Sequence, residues 1–329
     1  MNELFNLPAR LEILPPDITP YRKGNTGIEY VTTFDSGKIG PHVVVNALTH
    51  GNELCGAYAL DFLFKSEVRP VAGRLTLSFA NVAAFDRFDP ADPFASRYVD
   101  EDFNRLWVDE VLEGTRDSTE LRRARALAPL VREADLLLDI HSMHLSSPPL
   151  MMCGMQDKSI RLGRAMGYPA HLVRDWGHSA GRRMRDYGAY DDPADAKVAL
   201  LVECGQHWER SSVDVAIETT VRFLRESGVV DPEFPIRHGK VQSPPSQLLI
   251  DVEGPITIKS NQFRFLQNFQ GLELIPEANT LIGYDGEEEV RTPFPGCVLV
   301  MPGRQMSPGL SAVRLGRYAD LDAVGIAGD

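Results

Sequence analysis

The chain has 329 residues, 43% hydrophobic and 24% charged, with 34 basic against 46 acidic side chains and a formal net charge of −12. That length can bury a large core and suits one large domain plus a smaller one. The acidic balance argues against nucleic acid or an anionic membrane as a partner, because basic surfaces hold both. No apolar run approaches the ~20 residues of a membrane helix. The opening "MNELFNLPARLEILPPDITP" lacks the basic lead and apolar segment of a signal peptide, and Cys55, Cys153, Cys204 and Cys297 form no Cys-x-x-Cys pair. The expectation is a cytoplasmic protein with reduced thiols.

In chain order, "HVVVNAL" reads as a buried strand, and "NELCGAYALDFLFKSE" follows it with Leu54, Tyr58 and Phe62 at helical spacing. "RLTLSFANV" is a second strand. Asp117-Ser-Thr-Glu120 resembles a helix-opening capping arrangement, continued by "LRRARALAPLVREA". That helix delivers the chain into the apolar, β-like "LLLDI". "KSIRLGRAMGYP" predicts a helix closed by Gly167 with Pro169 beyond it. "KVALLV" predicts a central strand, and "SSVDVAIETTVRFLRESG" a last long helix ended by Gly228. Strands alternating with helices imply an α/β fold whose mixed, mostly parallel sheet has helices on both faces. After the turn-rich "HGKVQSPPSQ" come short alternating runs, "PITIKS", "QFRFLQNF" and "CVLVMP", punctuated by Asp285-Gly286 and Pro295-Gly296. The expected division is a large domain over 1–238 and a small C-terminal all-β domain over 245–329.

In sheets of this kind ligands sit beyond the carboxyl ends of the strands, and three strands here end in polar residues. The first ends at His50 and Glu53, "LLLDIH" ends at His141, and "VALLVE" ends at Glu203. Zinc in a hydrolytic site takes three nitrogen or oxygen ligands and keeps a fourth position for water, whose pKa falls to ~7. His50, Glu53 and His141 fit the ligand roles, and Glu203 fits the general base. Asp139, two residues before His141 and on the same strand face, is placed to accept that imidazole's proton and fix its tautomer. A solvated turn at His50 and Glu53 and a satisfied polar group at His141 are the bland alternatives. The coincidence of all these groups at strand ends favours the metal. His144, three residues past His141, is the competing ligand or a pocket residue.

Six arginines fall between positions 161 and 185: Arg161, Arg164, Arg174, Arg182, Arg183 and Arg185. Most read as a solvated helix face, with one or two available to an anionic small molecule. "GHSAG", residues 177–181, matches the Gly-x-Ser-x-Gly nucleophile elbow of serine hydrolases. That motif needs a strong strand before it and a helix after it. Here "HLVRDW" reads as a poor central strand, "RRMRDYGAY" as a poor buried helix, and the histidine partner would be His238 in the linker. A serine hydrolase using Ser179 is one alternative. A non-catalytic zinc-binding protein on the same fold is the other, which loss of the glutamate base would favour, yet Glu203 is present.

"RYVDEDFNRLW" places Arg97, Asn104 and Arg105 on the loop side of the sheet. Together with "HGNE", "LLLDIH" and "LLVECG", in this order, it resembles the succinylglutamate desuccinylase/aspartoacylase family. Those enzymes are zinc-dependent amide hydrolases on a zinc carboxypeptidase-like fold. The motifs are specific as a set, and the resemblance covers roughly residues 40–210 strongly and the β segment by general architecture. It implies one zinc per chain on His50, Glu53 and His141, with 1–238 as the catalytic domain. Glu203 would activate the water and later protonate the leaving amine, and Arg97 would polarise the scissile carbonyl and steady its oxyanion. Asn104 and Arg105 would grip a substrate carboxylate, as guanidinium forks do, and Asp139 would orient a zinc ligand. The implied partner is a small anionic N-acyl substrate, with homo-oligomerisation open.

Two departures stand out. The family carries a further substrate-binding arginine shortly before the catalytic glutamate, whereas "AYDDPADAK" contains none. Arg182, Arg183 and Arg185 are the candidates to substitute, and Tyr284 is the candidate for the family's late tyrosine. The acyl group and the amine stay open.

Overall fold

The computed structural model describes residues 11–178, 180–234, 246–303 and 307–324. It opens with β1 (Val31–Asp35), β2 (His42–Ala47), α1 (Leu54–Lys65) and β3 (Arg74–Phe79), followed by the single turns α2 (Val82–Phe85) and α3 (Asp109–Leu112). Then come α4 (Thr119–Glu133), β4 (Leu136–Met143), β5 (Leu150–Met152), α5 (Asp157–Met166), β6 (His171–Arg174), β7 (Val198–Gln206) and α6 (Arg210–Glu226). Among the described residues only strands follow: β8 (Leu248–Thr257), β9 (Phe263–Phe265), β10 (Glu273–Ile275), β11 (Leu281–Asp285), β12 (Glu288–Arg291), β13 (Cys297–Val300) and β14 (Ser311–Ala319).

β3, β2, β4 and β7 lie side by side and parallel, with β1 antiparallel at one edge. β5 joins β7 antiparallel, and β6 and β8 extend the sheet in parallel from β5. The expected mixed, mostly parallel arrangement is therefore present. "HLVRDW" differs from expectation: its first four residues are β6, held between β5 and β8. Its charged ends hide a strand whose two central residues, Leu172 and Val173, are fully buried.

The segment after residue 245 is all-β in its described residues, as expected, but it does not stand apart from the main sheet. β14, β13 and β10 continue that sheet antiparallel from β8, giving eleven strands, while β12, β11 and β9 form a separate three-stranded sheet. The boundary expected between 238 and 245 falls outside the described residues.

Both faces of the central strands are covered, which explains their near-continuous apolar runs. Val43, Val45 and Ala47 of β2 pack with Leu60 and Leu63 of α1, whereas Val44 joins Leu121, Leu127 and Val131 of α4 on the other face. Each fully buried valine or leucine contributes roughly 1.5–3 kcal/mol. At the start of α4 the cap is Ser118, whose hydroxyl accepts from Leu121 N at 3.0 Å. The sequence pattern suggested a reciprocal cap that includes Glu120, but the helix begins one residue later than that pairing needs. Glu120 is instead fully buried and accepts from the backbone N–H groups of Val99, Asp100 and Glu101 at 2.6, 3.0 and 3.3 Å. Helix α4 thereby fixes the loop that carries Arg97 and Arg105.

Candidate active site

The residues that follow β2 and those that close β4 and β7 line one cavity of about 220 Å³. Beyond β2 the chain turns through Gly51, where a side chain has no room. A Cβ there would lie 2.4 Å from the backbone at Ala84 and Phe85 and 2.5 Å from Ser96 O. This close approach lets Gly51 N–H donate to the Arg97 carbonyl at 3.1 Å, so the His50 turn and the Arg97 loop form one unit.

His50, Glu53 and His141 are buried, and their ligand atoms lie within 4.8 Å of one another. His50 Nδ1 is 2.7 Å from Glu53 Oε1, and His141 Nδ1 is 2.8 Å from Glu53 Oε2. The far nitrogens are engaged as well: His50 Nε2 is 3.0 Å from Asp102 Oδ1, and His141 Nε2 is 2.7 Å from Asp139 Oδ2. His50 Nε2 also lies 2.9 Å from Arg97 Nη2, a group that can only donate, and is shared between that donor and Asp102. Donating the His141 Nε2 proton to Asp139 leaves the His141 Nδ1 lone pair facing the Glu53 carboxylate. Such an arrangement requires a proton or a cation between them. Burial and the neighbouring charges make the same demand for positive charge. Burial alone would lower the His141 pKa, but Asp139 and Glu53 hold it well above the ordinary imidazole value. Burial alone would raise Glu53, and the two imidazoles hold it well below the usual carboxylate range. Two imidazoles and a carboxylate are a donor set that suits zinc with a position left open, so this group can hold a metal ion.

The outer carboxylates are themselves fixed. Asp139 accepts from Asn46 Nδ2 at 2.8 Å and Thr49 Oγ1 at 2.7 Å, and the β2–β4 register sets Asn46 beside Asp139. Asp102 caps the turn Phe103–Arg105 through Asn104 N at 2.9 Å and accepts from Arg97 Nη2 at 3.2 Å. Burial opposes its ionisation, but Arg97 and His50 keep it well below the usual carboxylate range.

Glu203 pairs with His141 across the β4–β7 register. It is buried, its Oε2 has no hydrogen-bond partner, and burial pushes its carboxyl up to about 8. A carboxyl poised near neutral pH beside a cavity can take up and release a proton there. Arg97 Nη1 donates to Glu53 Oε1 at 3.3 Å; burial opposes its charge, and Asp102 and Glu53 preserve it. Arg105 donates from Nη1 to the Asn104 carbonyl at 2.7 Å and keeps Nη2 3.8 Å from Asp102, while burial pulls its pKa down to about 10. The Asn104 side-chain oxygen accepts from Met184 N at 2.8 Å.

A family model described as the Succinylglutamate desuccinylase/Aspartoacylase catalytic domain matches residues 39–214, more than half of the chain. The chain belongs to this family. A comparison with curated proteins gives no match. Among solved structures it is similar to the succinylglutamate desuccinylase of Vibrio cholerae, with a TM-score of 0.64 at 16% identity over 88% of this chain and 86% of that one. It is also similar to a succinylglutamate desuccinylase/aspartoacylase from Rhodobacter sphaeroides, with a TM-score of 0.62 at 18% identity over 89% and 90%. A third likeness is the product-bound ectoine utilization protein EutE (DoeB) of Ruegeria pomeroyi, with a TM-score of 0.59 at 15% identity over 89% and 92%. At these identities the likeness is one of fold.

The residues that carried the family resemblance meet at the cavity. His50, Glu53, Arg97, Asn104, Arg105, His141 and Glu203 all line it, and Asp139 backs His141. His144 lines it too, but its ring packs edge-on to Phe94 and His207, with centroids 5.4 and 5.0 Å away. It stands outside the three-residue group that can hold a metal.

The arginines expected to replace the missing family arginine are all engaged elsewhere. Arg182 pairs with Asp191 at 2.7 Å and Arg183 with Asp175 at 2.8 Å, while Arg185 bonds Asp186 and the carbonyls of Cys153 and Ala199. Tyr284 sits in the three-stranded sheet beneath Arg264, whose guanidinium carbon is 4.6 Å from the ring centroid, and it does not line the cavity. Ser179 and His238 lie outside the described residues. The second glycine of "GHSAG" has a packing reason instead: a Cβ at Gly181 would lie 2.2 Å from Arg105 O.

Sequence reading missed Asp102 and gave Glu120 only a capping role. The run Asp100-Glu101-Asp102 was a signal, but three consecutive acids do not reveal which one faces inward. Asp100 caps Thr119 N and Glu101 meets Arg116 and Ser118, which leaves Asp102 for His50.

Proposed function

We propose that this chain is a zinc-dependent deacylase, with one ion per chain, that cleaves the amide bond of a small N-acylated substrate bearing a carboxylate. The observation that supports it best is the buried His50–Glu53–His141 donor set with the unpartnered Glu203 oxygen beside it. A zinc ion held by those three side chains supplies Lewis acidity, which makes water a usable nucleophile near neutral pH. Asp139 holds the His141 imidazole in the tautomer that presents Nδ1, and Asp102 and Arg97 fix the His50 ring through its Nε2. Glu203 takes a proton from the attacking water at its unpartnered Oε2 as oxygen bonds to the acyl carbon. It then delivers that proton to the nitrogen as the C–N bond breaks, giving an amine and a carboxylic acid that releases its remaining proton to solvent to become the carboxylate. Arg97 offers N–H donors to the oxyanion that develops on the carbonyl. Asn104 and Arg105 hold the substrate carboxylate and so set the reacting bond against Glu203.

In this reading residues 1–238 form the catalytic unit and 245–329 close one side of the cavity. The enzyme is cytoplasmic and acts without nucleic-acid or membrane partners. No helix among the described residues is long and apolar enough to cross a membrane. The test is a screen of N-acyl amino acids with the zinc-loaded protein, each as the free acid and as the carboxamide. Amine release from free acids that a chelator abolishes is expected. Equal turnover of acid and amide forms would remove the anion-selective reading.

A further inference from the structure

A second cavity, of about 290 Å³, opens at the carboxyl end of β3, and none of its lining residues lines the first. Its walls come from the segment before β1, from residues 80–83 after β3, and from the first two turns of α4. Tyr30 forms one side with a left-handed backbone, φ 61°, which a bulky side chain rarely adopts. Two hydrogen bonds hold it there: Tyr30 N donates to Arg22 O at 2.9 Å, and Tyr30 O accepts from Phe79 N at 3.1 Å. The Tyr30 hydroxyl itself has no hydrogen-bond partner among the described residues.

Four charged side chains line this cavity, Arg22, Glu29, Asp86 and Arg123, and only two of them pair. Arg22 Nε meets Glu29 Oε1 at 3.1 Å, with both side chains well exposed. Arg123 has no acidic partner among the described residues. Its Nε donates to Ala80 O at 2.7 Å and its Nη2 to the carbonyls of Phe79 and Glu29 at 2.7 and 3.0 Å. Its Nη1 is left without an acceptor, and burial pulls its pKa down to about 10, with Glu29 alone opposing. Asp86 is the converse. Its carboxylate makes no ion pair among the described residues, and burial raises its pKa against the pull of Arg22. A lone anion would supply Arg123 but repel Asp86 and Glu29, and a lone cation would do the reverse. A ligand with one charge of each sign answers both groups at once. Val82 and Ala83 add an apolar stretch of wall that suits a short side chain.

We infer that this second cavity binds a free α-amino acid as its zwitterion, the carboxylate on Arg123 Nη1 and the ammonium on Asp86 and the Tyr30 hydroxyl. The site lies behind the loop that carries Arg97. Asn81, in its wall, donates from Nδ2 to Glu120 Oε1 at 3.0 Å, and Glu120 holds the backbone of that loop. Calorimetry of the zinc-loaded full-length protein at neutral pH tests the inference with three probes on one skeleton. L-Alanine carries both charges, L-lactate lacks the ammonium, and L-alaninamide lacks the carboxylate. Asp86 and Arg123 lie outside the first cavity, so binding that their substitution removes belongs to the second. Asp86→Asn should weaken L-alanine at least about fivefold, the worth of one charge-assisted contact, without weakening L-lactate. Arg123→Met should weaken L-alanine to a similar degree, about fivefold, without weakening L-alaninamide. Zinc content and Tm certify that each variant is folded. Arg123 also ties down three carbonyls, so if Arg123→Met does not fold, Asp86→Asn at the exposed rim decides alone. No binding of L-alanine by the wild type, or unchanged L-alanine affinity in Asp86→Asn, would overturn the inference. So would an equal loss of all three probes, which marks a general disturbance of the fold. A wild type that shows the expected pattern yet releases no amine from any N-acyl amino acid would instead sink the deacylase reading and leave this site standing.

Discussion

His141 on β4 and Glu203 on β7 stand directly opposite each other in parallel register. Adjacent strands are about 4.8 Å apart, so the sheet itself sets a candidate metal ligand beside a candidate acid–base group, and neither depends on a mobile loop. Glu203→Gln keeps the shape and removes the proton acceptor. Zinc content should be unchanged while kcat falls ~10²-fold or more. Near-normal turnover would take Glu203 out of the mechanism.

The two outer carboxylates make a separate prediction. Asp102 and Asp139 each hold the far nitrogen of an imidazole, at 3.0 and 2.7 Å. Asp102→Asn and Asp139→Asn should each weaken zinc affinity by roughly 10–100-fold, read by competition with a chromophoric chelator. His141→Ala should remove most of the zinc altogether. Full retention in that variant would move the ligand role to His144.

Arg97 and Arg105 should separate kinetically. Arg105→Lys keeps charge and loses the planar fork, so it should mainly raise KM if that side chain grips the substrate in ground and transition states alike. Arg97→Met should depress kcat by about 10²-fold if it serves the developing oxyanion. It should also loosen Asp102, which Arg97 Nη2 reaches at 3.2 Å. Identical kinetic signatures for the two variants would refute the division of labour.

Stability in acid should report on the loop behind the cavity. Burial opposes the ionisation of Asp186, but Arg183 and Arg185 hold its pKa at about 2, against 3.8 for an ordinary aspartate. A carboxyl depressed on folding adds stability that is complete above its unfolded value and is lost as pH falls through its folded value. The ionised pair should therefore contribute on the order of 2 kcal/mol at neutral pH, fading between pH 4 and pH 2. Asp186→Asn should lower Tm at pH 7 and lose that deficit progressively towards pH 2. A deficit independent of pH would mean that packing, not charge, is what Asp186 provides.

Much of this was legible in the sequence because strand geometry is local. Alternation places Asp139 and His141 on one face, and apolar runs that end in His50, His141 and Glu203 announce side chains at the carboxyl ends of buried strands. The motif set identified the family for the same reason, since each motif is a short stretch tied to one strand end or one turn. Helix α5 and its glycine stop at Gly167, with φ 67°, were equally local. Charge neutralisation is not local. Whether an arginine is spent on a partner or left facing a cavity depends on acids brought close only by folding. Arg183, six residues after Gly177, looked available and is locked between Asp175 and Asp186. Arg314 carried no motif and reaches the cavity only because β14 pairs with β8 and β8 with β6, carrying the C-terminal strands onto the catalytic sheet. The choice of Asp102 over Asp100 and Glu101 was likewise tertiary. Helix α4 claims the backbone of that loop through Glu120, and the acid left on the inner side is the one His50 meets. Periodicity tells which residues a strand end presents. Only the packing of distant segments decides which charges there remain unspent, because an ion pair costs desolvation at both partners and forms where the fold supplies both.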